Sequence, residues 1–251
     1  MTDIPPAVLR ALNSGQIESL TLAETLAVDF HLLLKSAFPA LDTSLLADMR
    51  RAKKELGWVE RTRFAGALLH KALGAKGLKQ TLGHASDQVR GWGASLIAAI
   101  PDVDIEERLN LVRPIADDAN PGVRETAWIM LRPHIARDIR HSIKILEPWV
   151  HEDSANIRRY ATEATRPRGV WCSHIPLLRE NPKLGLPLLS PVRADDSRYV
   201  QNSVANWLND ASKDDPQWVE SLCKKWGGKT ARPQTVYICR RALRTIRKRK
   251  S

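Results

Sequence analysis

Three carboxylates, an indole and several arginines stand at comparable places along this chain: Glu125 with Trp128, then Arg159, Glu163 and Arg166, then Asp210 among Asn202, Asn206 and Asn209. A carboxylate can stabilise a developing positive charge or hold a water for attack. An indole face can hold a cation, and arginine neutralises phosphate. Each residue also has a plain structural role open to it. Glu163 can pair with Arg159 four residues earlier, a surface contact worth about 0.5 kcal/mol. Asp210 can sit at a helix end beside Lys213, Trp128 can pack on a neighbouring helix, and an isolated Glu125 can simply face water. Other chemistries lack support. The seven histidines form no His-x-x-x-His pair, so no metal is expected. There is no Gly-rich phosphate loop and no Gly-x-Ser-x-Gly elbow.

These residues act together only if the fold brings them to one surface, and the chain carries a repeat that can do so. The stretches DQVRGWGASL from Asp87, NPGVRETAWI from Asn120, SANIRRYATEA from Ser154 and SRYVQNSVANWL from Ser197 resemble one another. Their β-branched anchors, Val89, Val123, Ile157 and Val200, lie 34, 34 and 43 residues apart. That period marks a stack of HEAT-like helix pairs. The anchor helix is the second of each pair. The first helices are expected over 105–115, 139–150 and 175–189, and a last unit over Pro216 to the end, with TVYICRRALRTIRK as its second helix. At 100° per residue from the anchor, offsets 0, 3, 4, 7 and 8 face the core. Offset 4 reads Gly93, Ala127, Ala161 and Val204, and offset 8 reads Ile97, Leu131, Thr165 and Leu208. Offsets 2, 5, 6 and 9 point away, with 10 on the boundary, and these hold the chemically interesting residues. Trp92 and Trp207 fall on the core side.

Earlier in the chain, Leu20, Leu26, Phe30 and Leu33 share a helical spacing, as do Leu45, Met49, Ala52 and Leu56. Pro and Gly mark the turns, and no linker interrupts the pattern. The expectation is one domain over 1–251: N-terminal helices over 1–80, core repeats over 81–215 and a basic C-terminal repeat over 216–251. The fold class is all-α, a right-handed α-solenoid with a concave, basic groove.

The net charge of +11 is concentrated at one end. From Ser221 onward there are eleven Lys and Arg and no acid, while the rest of the chain balances. Such a tail suits a polyanion or is a solvated terminus. Three cysteines make no disulfide or metal framework and fit a reducing compartment. No apolar run spans a bilayer, and MTDIPPAVLR lacks the pattern of a signal peptide. A soluble, cytoplasmic, bacterial-type protein is expected.

The stretch RRYATEATRPRGVWC, Arg158 to Cys172, resembles the signature of the AlkC branch of the AlkC/AlkD-like DNA glycosylases. SVANWLNDASKDDP, Ser203 to Pro216, and the basic YICRRALRTIRK are similar to it as well. The resemblance covers essentially the whole chain, which ends after the last helix and so is expected to be the short form without an immunoglobulin-like domain. The resemblance implies a monomeric, cofactor-free, monofunctional enzyme. It would hydrolyse the N-glycosidic bond of cationic N-alkylated bases in double-stranded DNA, such as 3-methyladenine and 3-methylcytosine. It implies functional acids at Glu163 and Asp210, with Glu125 third. Trp128, from helix geometry, and Trp171, from the motif, are the stacking candidates. Arg159, Arg166, Arg168, Arg240, Arg244 and Arg247 are the expected phosphate contacts. The other readings are a non-catalytic DNA-binding protein of this fold and a protein-binding scaffold. The second would show an apolar stripe where this chain is polar.

Overall fold

A computed structural model describes residues 4–250, and within them the secondary structure is helical, without strands. Helix starts follow their caps. Pro6 opens α1 (Pro6–Asn13). Thr21 and Glu24 form a reciprocal capping box on α2 (Leu22–Ala27), and the Asp29 side chain caps α3 (Phe30–Ala37). That cap corrects the single helix suggested by Leu20, Leu26, Phe30 and Leu33. An Asp accepting two backbone N–H groups begins a new helix, and Leu20 is left exposed outside both. α4 (Thr43–Glu55) begins at an Asp42 cap and buries Met49 and Ala52, as its spacing requires.

The chain divides into two compact units, Met1–Leu131 and Arg132–Ser251, where the turn pattern suggests one continuous domain. A repeat stack makes contacts mainly between neighbours, so contact density can thin between two repeats without a linker in the sequence. The division falls within α9 (Pro121–Arg137).

The first unit continues with α5 (Trp58–Leu73), α6 (Ala75–Leu82), α7 (Asp87–Ala99) and α8 (Ile105–Ala116). Its core joins Leu33, Leu34, Met49, Leu69, Leu96 and Trp92. Phe30 meets Trp92 edge-on at 5.1 Å. The second unit holds α10 (Ile139–Leu146), which tightens into a 3-10 turn over Glu147–His151, and then α11 (Ala155–Ala164). The helix expected over 175–189 is broken into α12 (Pro176–Glu180), a 3-10 turn over Pro182–Gly185 and α13 (Leu186–Leu189). Pro182 and Pro187 each remove a backbone donor, which a continuous helix does not tolerate. The extra turn accounts for the longer third spacing. α14 (Arg198–Ala211), α15 (Pro216–Trp226), α16 (Pro233–Ala242) and α17 (Arg244–Lys250) complete the unit. The second helix expected at the end is thus interrupted at Leu243.

The core register holds. Val89, Val123, Ile157 and Val200 are buried, and so are the residues at offset 8. Trp207 packs on Gly185 and donates from Nε1 to the Thr165 carbonyl at 3.0 Å, tying α14 to the end of α11.

A second regularity sits one residue after each anchor. Arg90, Arg124, Arg158 and Gln201 each reach back to two carbonyls in the loop before their own helix: His84 and Ala85, Asp118 and Ala119, Glu152 and Asp153, Asp195 and Asp196. Arg90 also grips Asp118 ahead of the next repeat, and Arg158 grips Asp195. Both carboxylates are largely withdrawn from water, so a charge-assisted clamp there is stronger than a surface pair. Arg158→Met is expected to lower stability by about 2–3 kcal/mol, because two carbonyls and Asp195 lose their donor together. Urea unfolding measures this. A midpoint equal to that of the parent protein contradicts the clamp.

Candidate active site

Glu163 lies in the last turn of α11, and Asp210 in the last turn of α14. Pro167 disfavours helical geometry at Arg166, so α11 stops at Ala164 and Arg166 is free to turn across to the neighbouring helix. There it sits between the two acids. Its Nη1 is 3.1 Å from Glu163 Oε2, and its Nε and Nη2 lie 2.8 and 2.7 Å from Asp210 Oδ2. Arg159 Nη2 approaches Glu163 Oε1 at 2.9 Å, and Lys213 Nζ approaches Asp210 Oδ1 at 3.1 Å. Burial works against the charge on Arg166. The Glu163 and Asp210 carboxylates more than offset it, so its pKa ends above that of an ordinary arginine.

Glu163 and Asp210 are only 4% and 3% exposed, which corrects the outward assignment of offset 6 and the boundary assignment of offset 10. Thr162 and Asn209, at offsets 5 and 9, are buried too. The cause is lateral packing: α11 lies against α14, and α14 against α16, so α14 is covered on both flanks and α11 on the flank facing α14. Thr162 Oγ1 and Ser203 Oγ meet at 2.6 Å in that seam. Glu163 Oε1 is buried against Arg159 Nη2, its ion-pair partner at 2.9 Å. Arg159 itself donates to the Tyr199 carbonyl at 2.5 Å and stacks on the Tyr199 ring, 3.8 Å from its centroid.

The loop after α11 is built around Arg132, which is 2% exposed. Its guanidinium donates to the carbonyls of Ser173 and Ala164, each at 2.9 Å, and to that of Arg166. Burial pushes its pKa down, opposed by Cys172, Asp210 and Glu163. Gly169 is required here, because a Cβ would stand 2.2 Å from Cys172 Sγ and 3.1 Å from the Arg132 guanidinium. At the tip, Val170 and Trp171 are 51% and 44% exposed, and Trp171 has φ of 61°. A left-handed bulky residue costs about 1–2 kcal/mol. Arg168 and Arg179 both clasp Asp214 in two-pronged pairs of 2.6–3.1 Å. The hydrogen bonds from Arg179, with those from Arg168, outweigh burial and hold the Asp214 carboxyl well below the usual carboxylate range.

The other expected site residues fall elsewhere. Glu125 is exposed and Trp128 is buried at 8%, both in the first unit. Trp171 is therefore the exposed aromatic of the two proposed. Arg240, Arg244 and Arg247 lie exposed on α16 and α17. Arg244 donates to Asn206 Oδ1 at 3.0 Å, and burial lowers its pKa. Arg159, Arg166 and Arg168, expected at phosphates, hold carboxylates in the free protein.

Sequence reasoning missed Arg132, Arg179 and Asp214, while the expected neighbourhood of Lys213 and Asp210 is present. A signal for Arg132 existed. It stands at offset 9, as do Arg166 and Asn209. Arg132 reaches the carbonyl that ends α11, Asn209 reaches the Ala242 carbonyl that ends α16 at 2.9 Å, and Arg166 reaches Asp210 at the end of α14. Each offset-9 side chain thus meets the C-terminal turn of the next second helix, a favourable place for a donor or cation. Only the middle rung meets a carboxylate. Among the described residues no group of three or more His, Cys, Asp or Glu is placed to hold a metal ion, and no helix is long and apolar enough to cross a membrane.

Comparison with known proteins bears on this arrangement. The uncharacterized protein YhaZ of Bacillus subtilis (strain 168) is 36% identical over 124 residues, which is 49% of this chain and 34% of that protein. The chain therefore spans about a third of that relative's length. The alkylpurine DNA glycosylase AlkC of Pseudomonas fluorescens, solved bound to DNA containing an abasic site analog, matches with a TM-score of 0.74 at 24% identity. That match covers 96% of this chain and 63% of that one. AlkD2 from Streptococcus mutans matches with a TM-score of 0.55 at 19% identity, over 95% and 96% of the two chains. At these identities the likeness to solved structures is one of fold. A family model described as DNA alkylation repair enzyme matches residues 106–245, the span that carries Glu163, Arg166, Trp171 and Asp210. That span exceeds half of the sequence, and the chain belongs to the DNA alkylation repair enzyme family.

Proposed function

We propose that this chain is a monofunctional DNA glycosylase that hydrolyses the N-glycosidic bond of cationic N-alkylated bases, such as 3-methyladenine, in duplex DNA. The observation that carries this reading is the buried ionic cluster in which Arg166 bridges Glu163 and Asp210, two carboxylates almost withdrawn from water. Two neighbouring buried carboxylates held by cations suit a site that meets positive charge during a reaction.

An alkylated base that already carries positive charge departs without an acid. The sugar left behind gains oxocarbenium character, which a nearby carboxylate stabilises while a water attacks. Glu163 and Asp210 take that role. In the free protein they are covered by Arg159, Arg166 and Lys213. Arriving DNA phosphates draw these cations away, and each cation that changes partner uncovers a carboxylate. The same residues thereby bind the backbone and gate the acids. Trp171, exposed at a strained loop tip, stacks on base or sugar. A lyase route needs a free amine nucleophile. Lys213, which the repeat offsets did not place near the site, is ion-paired to Asp210.

The test is base release from methylated duplex DNA under single-turnover conditions. Release of free 3-methyladenine, leaving intact abasic strands, is expected. Tight duplex binding with no release from any alkylated substrate contradicts the enzyme and supports a DNA-binding protein without catalysis.

A further inference from the structure

A cavity of about 470 Å³ opens at the other end of α14 from Asp210, between the turn before α14 and the α15–α16 connection. Small-ligand sites occupy about 300–1,000 Å³. Three cations line it, Arg193, Lys225 and Arg232, together with the Trp226 ring and the Thr230 hydroxyl. Arg193 donates to the Ser190 carbonyl at 2.8 Å, and among the described residues none of the three cations makes an ion pair, unlike Arg158, Arg159, Arg166 and Arg168 nearby in sequence. No carboxylate lines the cavity. The acids adjacent in sequence are turned to other partners: Asp195 to Arg158 and to the Ser197 amide, Asp196 to Gln234. Unpaired cations converging on one hollow repel one another, and an anion relieves that repulsion.

We propose that this hollow is a phosphate-binding cradle and that its occupant is a DNA backbone phosphodiester remote from the reacting nucleotide. The position supports the second part. The 14 residues of α14 separate the cradle from Asp210, and at ~1.5 Å each this is about 20 Å. That distance corresponds to roughly six base pairs along a duplex axis. Between the two ends, Arg198 lies over the Tyr237 ring at 3.6 Å and Arg244 reaches Asn206, so the interval is itself cationic. A phosphate held there fixes the register of the duplex on the protein and carries no sequence preference. This inference rests on the reading that the chain binds DNA, and it does not require base release.

The test compares the parent protein with a variant carrying Arg193→Ala, Lys225→Ala and Arg232→Ala, and with a control carrying Lys54→Ala, Lys71→Ala and Lys76→Ala, which loses equal charge from the first unit. Binding to an undamaged duplex is measured by fluorescence anisotropy over a salt series. Loss of one phosphate contact is expected to flatten the slope of log K against log salt by about 0.9. Affinity should fall roughly tenfold, with the control near the parent protein. An unchanged slope and affinity in the cradle variant overturns the proposal, as does an equal loss in the control. Inorganic phosphate provides a separate arm. If it raises the thermal midpoint of the parent but not of the cradle variant while duplex binding is unaffected, the occupant is a free phosphate and the DNA assignment is overturned. If the parent protein binds no duplex at all, the glycosylase reading fails. The phosphate arm then decides the cradle alone: protection lost in the variant supports it, and no protection overturns it.

Discussion

Glu163→Gln is expected to release base from alkylated duplex DNA about 10²–10³-fold more slowly than the parent protein, with duplex affinity within a few fold. The substitution keeps shape and acceptor oxygen but removes the charge proposed to face the developing cation. Arg159 and Arg166 lose one of their anions and gain freedom to meet phosphate, so binding should not suffer. Asp210→Asn should show a loss of the same order. Because Arg166 joins the two acids, the double variant should be little worse than the poorer single one, the behaviour of groups that act as a unit. Single-turnover rates with saturating enzyme separate this from weakened binding. Rates within about threefold of the parent for both single variants would sink the assignment.

The largest stability effect should come from a residue that carries no proposed chemistry. Arg132→Met leaves three carbonyls, those of Ala164, Arg166 and Ser173, without their donor in a buried site. Unsatisfied buried acceptors cost about 1–3 kcal/mol each, with some recovery as the loop relaxes, so a loss of roughly 3 kcal/mol is expected. Arg132→Lys should fall between, since an ammonium retains the charge but not the fork geometry. Urea unfolding with an unchanged m-value would report the loss as stability alone. A midpoint shift below about 0.5 kcal/mol in the methionine variant contradicts the role assigned to Arg132.

Much of this molecule could be read from one column of the repeat. The anchors and offset-8 residues predicted the core, because burial of a helix stripe is periodic and local. The Glu163 to Arg159 pair and the Lys213 to Asp210 contact were visible as spacings of four and three residues, and both occur. What the helical wheel could not show was lateral packing. A wheel treats a helix as having one neighbour, whereas α14 is flanked by α11 and α16, and this buries Asn209 and Asp210. Arg132 was missed because its partners are carbonyls of a loop 32–41 residues ahead, which no side-chain pattern announces. Comparing offset 9 across repeats would have raised it. The broken helix over 175–189 was legible in its prolines, whose effect the period obscured.

The ionic cluster has a consequence for encounter. Two exposed carboxylates on a DNA-facing surface would repel the polyanion and slow its approach. Here Glu163 and Asp210 sit against Arg159, Arg166 and Lys213, so the group presents one net positive charge at long range. If the chain binds DNA here as proposed, a duplex several ångströms away would feel attraction, with the negative charge disclosed only at contact. On the proposed function, the acids would then be electrostatically silent during search and active only where the backbone has settled.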